Sequence, residues 1–88
     1  MTLFLFSAPG CSGCVHAART VARFARQHPE IECCYIDLTT VRWESGAQGI
    51  TMPKTTPSYA LQRFGRVERT LEGKILSLRE LEQWVVGL

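Results

Sequence analysis

Three consecutive segments at the N-terminus constrain this chain most. An unbroken apolar run, Leu3-Phe4-Leu5-Phe6, is followed by a turn at Ala8-Pro9-Gly10 and then by Cys11-Ser12-Gly13-Cys14 at the head of a helical pattern. An apolar run without alternation is the pattern of a strand covered on both faces, so residues 2–7 are predicted to form a central strand. The helix is predicted from Cys11 to Gln27, with an apolar stripe of Cys14, Ala18, Val21, Ala22 and Ala25, widened by Ala17 and Phe24. Its polar face carries His16, Arg19, Arg23 and Arg26, and His28-Pro29 ends it. A second strand is predicted over Ile31–Leu38. Strand, helix and strand in this order make a right-handed unit with the two strands parallel.

The position of the two cysteines has chemical consequences. A helix start directs unpaired backbone N–H groups and partial positive charge at whatever lies there. A thiolate placed there is stabilised and becomes a stronger nucleophile near neutral pH. A second thiol one turn later can attack a mixed disulfide formed by the first. Cys11, at the exposed edge of the helix, is the candidate nucleophile, and Cys14, on the buried stripe, the candidate resolving thiol. His16 and Arg19 follow within two turns; a nearby cation favours a thiolate, although both positions also suit solvated residues on an outer helix face. Arg19, Arg23 and Arg26 form a basic stripe that suits either solvent or an acidic partner protein.

Beyond the second strand, Thr39 or Thr40 can cap a short helix through about Gln48, which Gly49 can stop and in which Trp43 lies. Thr51 to Pro57 reads as a loop. Ser58–Arg63 and Val67–Glu72 read as strands joined across Phe64-Gly65-Arg66 in an antiparallel hairpin. Ser77-Leu78-Arg79-Glu80 is a capping box opening a last helix, whose stripe is Leu78, Leu81, Trp84, Val85 and Leu88.

The 88 residues make one domain, residues 1–88, with 45% hydrophobic and 20% charged residues, an ordinary globular composition that argues against disorder. A net charge of +2 gives no basis for nucleic-acid binding, and no segment approaches membrane-spanning length. The apolar start lacks the basic region and length of a secretion signal. Cys33 and Cys34 are adjacent in a strand, with side chains on opposite faces, and are expected to be free thiols packed as small apolar residues. Together these features lead to the expectation of a reducing, cytoplasmic compartment.

The order β-α-β-α-β-β-α, with a dithiol between the first strand and the first helix, resembles the thioredoxin-like superfamily over nearly the whole chain. Thr56-Pro57 resembles the family's cis-proline, Gly65 falls where thioredoxins turn their last hairpin, and Gly73 falls where they break before the final helix. This spacing favours Pro57 over Pro53 for the cis-proline role. The resemblance implies an α/β, thioredoxin-like fold of minimal glutaredoxin size. Its four-stranded mixed sheet would have the second strand at one edge, followed by the first, third and fourth, with helices on both faces.

The same resemblance implies a thiol–disulfide oxidoreductase that reduces protein disulfides through Cys11 and Cys14. Thr55, Thr56 and Pro57 would line the edge on which an extended substrate segment adds as a strand. The partners implied are a disulfide-bearing protein, such as ribonucleotide reductase, and an upstream reductant, either a flavoprotein reductase or glutathione. No cofactor is implied, and a monomer is expected. This chain departs from the family in three places. Gly10-Cys11-Ser12-Gly13-Cys14 lacks the usual Trp before and Pro between the cysteines; Leu5 stands where many thioredoxins bury an Asp; and Lys74 stands where glutaredoxins place an acidic residue for the glutathione ammonium.

A soft-metal carrier of the ferredoxin-like fold is the competing reading, since Cys11-x-x-Cys14 ahead of a helix also suits Cu(I). Against it, Pro9 occupies the position where those domains carry Met, and the chain ends on a capped helix where theirs ends on a strand. A zinc site from Cys11, Cys14 and His16 lacks a fourth ligand.

Overall fold

The computed structural model describes residues 1–39 and 53–87. Its elements are β1 (Thr2–Ser7), α1 (Ser12–Gln27), β2 (Glu32–Asp37), β3 (Ser58–Arg63), β4 (Arg66–Glu72) and α2 (Leu78–Val86). The expected short helix over 40–48, with Trp43, lies outside the described residues, as does Leu88.

The four strands form one sheet in the order β2-β1-β3-β4. β1 pairs parallel with β2, from Thr2 opposite Glu32 to Ser7 opposite Asp37, and antiparallel with β3. β3 and β4 are antiparallel, with an irregularity between Leu61 and Gln62. The unalternated run of β1 is explained by this central place. Leu3 and Leu5 point to one face and Phe4 and Phe6 to the other, and all four are buried.

Both described helices lie on the Leu3/Leu5 face. There Ala17, Val21 and Phe24 of α1 and Leu81 and Val85 of α2 pack with Leu3, Leu5, Tyr59 and Leu61. The seam of α1 is therefore Cys14, Ala17, Val21 and Phe24, at i, i+3, i+7 and i+10. Ala22, assigned to the stripe from sequence, is exposed. The helix touches both the sheet and α2, and that centres its buried face on Ala17 and Val21. On the other face, Cys34, Ile36, Leu38 and Val67 pack around Phe4, Phe6 and Ala60.

The hairpin is tighter than expected. Arg66 already belongs to β4, leaving a two-residue turn of Phe64 (φ 53°) and Gly65 (φ 75°). Positive φ at both positions is the pattern of a type I′ turn, which matches strand twist, so Phe64 takes a conformation usually left to Gly or Asn. The last helix begins as expected: the Ser77 hydroxyl accepts from the Glu80 N–H at 3.1 Å, and the Glu80 carboxylate accepts from the Ser77 N–H at 3.0 Å. The Ser77 N–H bond to the carboxylate, with a contribution from the Ser77 side chain, lowers the Glu80 carboxyl pKa from its ordinary value. Ser77→Ala removes one of the two bonds and is expected to cost about 1 kcal/mol, read by denaturant unfolding.

At the other end of α1, the His28 ring stacks on Phe24 and sits 2.9 Å from a Glu82 carboxylate oxygen of α2. The hydrogen bond to Glu82 is the main reason the His28 pKa rises above its ordinary 6.5; partial burial opposes the rise and Glu30, 3.5 Å away, adds to it. A folded pKa above the unfolded value means that the stabilisation is complete below about pH 6.5 and is lost as pH rises through the raised folded value. The gap in melting temperature between wild type and His28→Gln is therefore expected to be larger at pH 6 than at pH 9.

Candidate functional site

The loop from Ser7 to Cys11 carries the chain from the C-terminal end of β1 to the start of α1, with Gly10 at φ 76° making the reversal. Cys11 is the N-cap of α1. Its sulfur accepts the backbone N–H of Cys14 at 3.1 Å, and its carbonyl also accepts that N–H at 3.1 Å. The first turn thus directs a backbone N–H at the sulfur, as expected of a helix start.

The two sulfurs are paired as a disulfide, with Cα atoms 5.2 Å apart. Cys11 is half-buried, whereas Cys14 retains 6% of its surface. Cys11, at the helix edge, is the more exposed residue of the pair.

An open cleft beside the pair is lined by Pro9, Cys11, Cys14, Val15, Arg19 and Asp37, among others. Arg19 thus lies on the same surface as both cysteines. His16 is exposed on the first turn of α1 and does not line the cleft. Asp37 was not singled out from sequence. It ends β2 in register with Ser7, the residue that leads into the dithiol loop, and its carboxylate accepts the N–H and hydroxyl of Thr39 at 2.9 and 2.7 Å. The available signal was topological: ligand and reaction sites of parallel strands gather at their C-terminal ends.

The Thr56–Pro57 peptide bond is cis, and Pro57 is buried at the entry to β3. Its carbonyl accepts the Gly73 N–H at 2.9 Å. Gly73 (φ 68°) suits this left-handed conformation, and a Cβ on it would also lie 3.2 Å from the Thr55 hydroxyl. The Thr55 carbonyl accepts the Ser58 hydroxyl, and the Lys54 N–H donates to Glu72 at 2.7 Å. The Lys54 and Pro57 bonds tie this segment to Glu72 and Gly73 at the end of β4, and the Ser58 bond braces it internally.

Gly13 brings this loop and the dithiol together. A Cβ built on Gly13 would lie 3.4 Å from Pro57 Cδ, 2.8 Å from Ile75 Cδ1 and 3.1 Å from Ile75 Cγ1. Sequence reasoning missed Ile75, because nothing local marks a contact between a loop before α2 and the first turn of α1.

The other two cysteines lie elsewhere. Cys33 packs toward the α1/α2 face and Cys34 toward the opposite face of the edge strand β2, both as free thiols. Burial is the main cause that pushes both pKa values up, with the Cys34 thiol also hydrogen-bonded to Glu32. Neither has the helix-start setting of Cys11. Among the described residues, no three His, Cys, Asp or Glu side chains gather as a metal site, and no helix is long and apolar enough to cross a membrane.

No protein-family model and no curated protein sequence matches this chain. Solved structures do. The thioredoxin of Fasciola hepatica superposes with a TM-score of 0.78 at 19% identity, over 98% of this chain and 78% of that one. The germline-specific thioredoxin Deadhead of Drosophila melanogaster gives 0.78 at 18% identity, over 99% and 79%. The oxidised mitochondrial thioredoxin 3 of Saccharomyces cerevisiae gives 0.77 at 15% identity, over 99% and 77%. With the observed strand order and the Cys11–Cys14 pair at the start of α1, these likenesses show that the chain has the thioredoxin-like fold.

Proposed function

We propose that this protein is a thiol–disulfide oxidoreductase that reduces disulfides of other proteins through Cys11 and Cys14. One observation carries the reading: Cys11 is the more accessible of the pair and caps α1, with its sulfur accepting the Cys14 N–H at 3.1 Å. A negative sulfur is stabilised at that position by hydrogen bonding and by the helix dipole.

The cycle starts from the dithiol. The Cys11 thiolate attacks one sulfur of the target disulfide; that S–S bond breaks, a mixed disulfide forms, and the first target sulfur leaves as a thiolate that takes a proton from solvent. Cys14, deprotonated, then attacks the Cys11 sulfur. The mixed disulfide breaks, the second target sulfur leaves, and the Cys11–Cys14 disulfide remains. Two electrons have passed to the target. An upstream reductant, a flavoprotein reductase or glutathione, returns two electrons to the pair. Suitable targets are exposed disulfides, including one of a reductase such as ribonucleotide reductase, in a reducing compartment such as the cytoplasm.

Thr55, Thr56 and Pro57 are the substrate-binding edge in this reading. An extended target segment would pair with the backbone there, within reach of Cys11, because Pro57 stands against Gly13 of the dithiol turn. Arg19 favours the thiolate from the cleft; His16, outside it, has less influence. The sheet order β2-β1-β3-β4, with β1 paired directly and in parallel with β2, supports this reading over the metal-carrier one.

The test is turnover of insulin disulfides with dithiothreitol as reductant. Wild type is expected to accelerate reduction, and Cys11→Ser and Cys14→Ser to fall to background. Cys14→Ser is expected to accumulate a mixed disulfide with insulin, and Cys11→Ser is not. An inactive wild type that binds one equivalent of Cu(I) would overturn the proposal.

A further inference from the structure

The dithiol turn has no side chain of its own at position 13, yet the space is filled. Ile75 Cδ1 and Cγ1 lie 2.8 and 3.1 Å from where a Cβ on Gly13 would stand, so the isoleucine occupies the volume that a residue-13 side chain would take. Ile75 is 58% exposed, so filling the core does not account for its place. Its backbone lies between Gly73, bonded to the Pro57 carbonyl, and Leu76, which is buried; both anchors fix where the side chain can reach.

We propose that Ile75 is a positioning residue for the dithiol. It clamps the Ser12-Gly13 turn from outside against Pro57, and so holds the Cys14 N–H on the Cys11 sulfur. This rests on the oxidoreductase reading and assigns the element that sets the thiol chemistry of its site. The contact is made by an exposed side chain from another segment, so residues 13 and 75 act as one unit. A side chain at 13 and the end of Ile75 would compete for the same space.

The physical consequence has a definite sign. The Cys14 N–H bond favours the Cys11 thiolate, which exists only in the reduced protein. Loosening the turn weakens that bond, raises the pH at which Cys11 ionises, and shifts the dithiol–disulfide equilibrium toward the disulfide. Ile75→Ala removes the clamp. Gly13→Ala pushes the flexible end of Ile75 away, with little strain in the backbone, since Gly13 does not have a positive φ. In the double variant the methyl group introduced at position 13 enters the space that the isoleucine vacates.

The experiment is a double-mutant cycle over Gly13→Ala and Ile75→Ala. It has two readouts: the ionisation of Cys11 followed by thiolate absorbance in the reduced protein, and the dithiol–disulfide equilibrium against dithiothreitol buffers. Each single variant is expected to raise the Cys11 pKa and shift the equilibrium about tenfold toward the disulfide, about 30 mV for a two-electron couple. The double variant is expected to return to within about twofold of wild type, because the methyl group refills the vacated space; the helix-propensity gain of Gly→Ala is common to both backgrounds and cancels in the coupling term. Ile75→Val keeps a branched side chain against the turn and is expected to retain wild-type values. Unchanged values in Ile75→Ala, or effects that simply multiply in the double variant, would overturn the proposal. A clamp that is only structural would lower the melting temperature and leave both thiol readouts in place. Neither readout needs a protein substrate, so failure to reduce insulin would remove the proposed function while leaving the coupling measurable.

Discussion

The packing of Ala17, Val21 and Phe24 against Leu3, Leu5 and Leu61 is the interaction on which the rest of the structure depends. These side chains fix α1 across the middle of the sheet. The helix start, and the sulfur that caps it, must then lie at the C-terminal end of β1. Each fully buried aliphatic or aromatic side chain stabilises the folded state by about 1.5–3 kcal/mol relative to exposure, so a seam of several such residues outweighs any surface ion pair in this small domain. The same face receives α2, tied to the end of α1 through His28 and Glu82. The thiol site is therefore positioned by apolar packing behind it.

Two other segments complete the site, and both are held by hydrogen bonds to the backbone. Gly73 ties the end of β4 to the Pro57 carbonyl, and Glu72 holds the Lys54 N–H. This brings the entry of β3 and the loop before α2 against one turn of α1. The result is a surface in which one cysteine is open, one is covered, and an apolar side chain from a third segment rests on the turn between them. The free thiols on β2 lack this setting: burial, the main cause, pushes their pKa values up.

Sequence pattern was informative wherever a local rule decides the outcome. The unalternated run of residues 2–7, the dithiol at a helix start, the Ser77–Glu80 capping box and the hairpin at Gly65 all follow from short-range chemistry, and each is observed. The buried face of α1 was read one step off, with Ala22 inside, because alanine at several neighbouring positions blurs the edge of the stripe. Phe64 in the turn was missed as a left-handed residue because its type disfavours that conformation. Asp37 and Ile75 could not be found by pattern. Asp37 comes to the cleft beside the dithiol, and Ile75 to its turn, only because the sheet and the chain reversals bring distant segments together.

The central claim is that the helix start makes Cys11, and none of the other three cysteines, the reactive thiol. Reduced protein treated at pH 7 with less than one equivalent of iodoacetamide, followed by peptide mapping, tests this directly. The account predicts that Cys11 is alkylated first, well ahead of Cys14, Cys33 and Cys34. Labelling spread evenly over the four, or led by Cys14 or by either cysteine of β2, would contradict it.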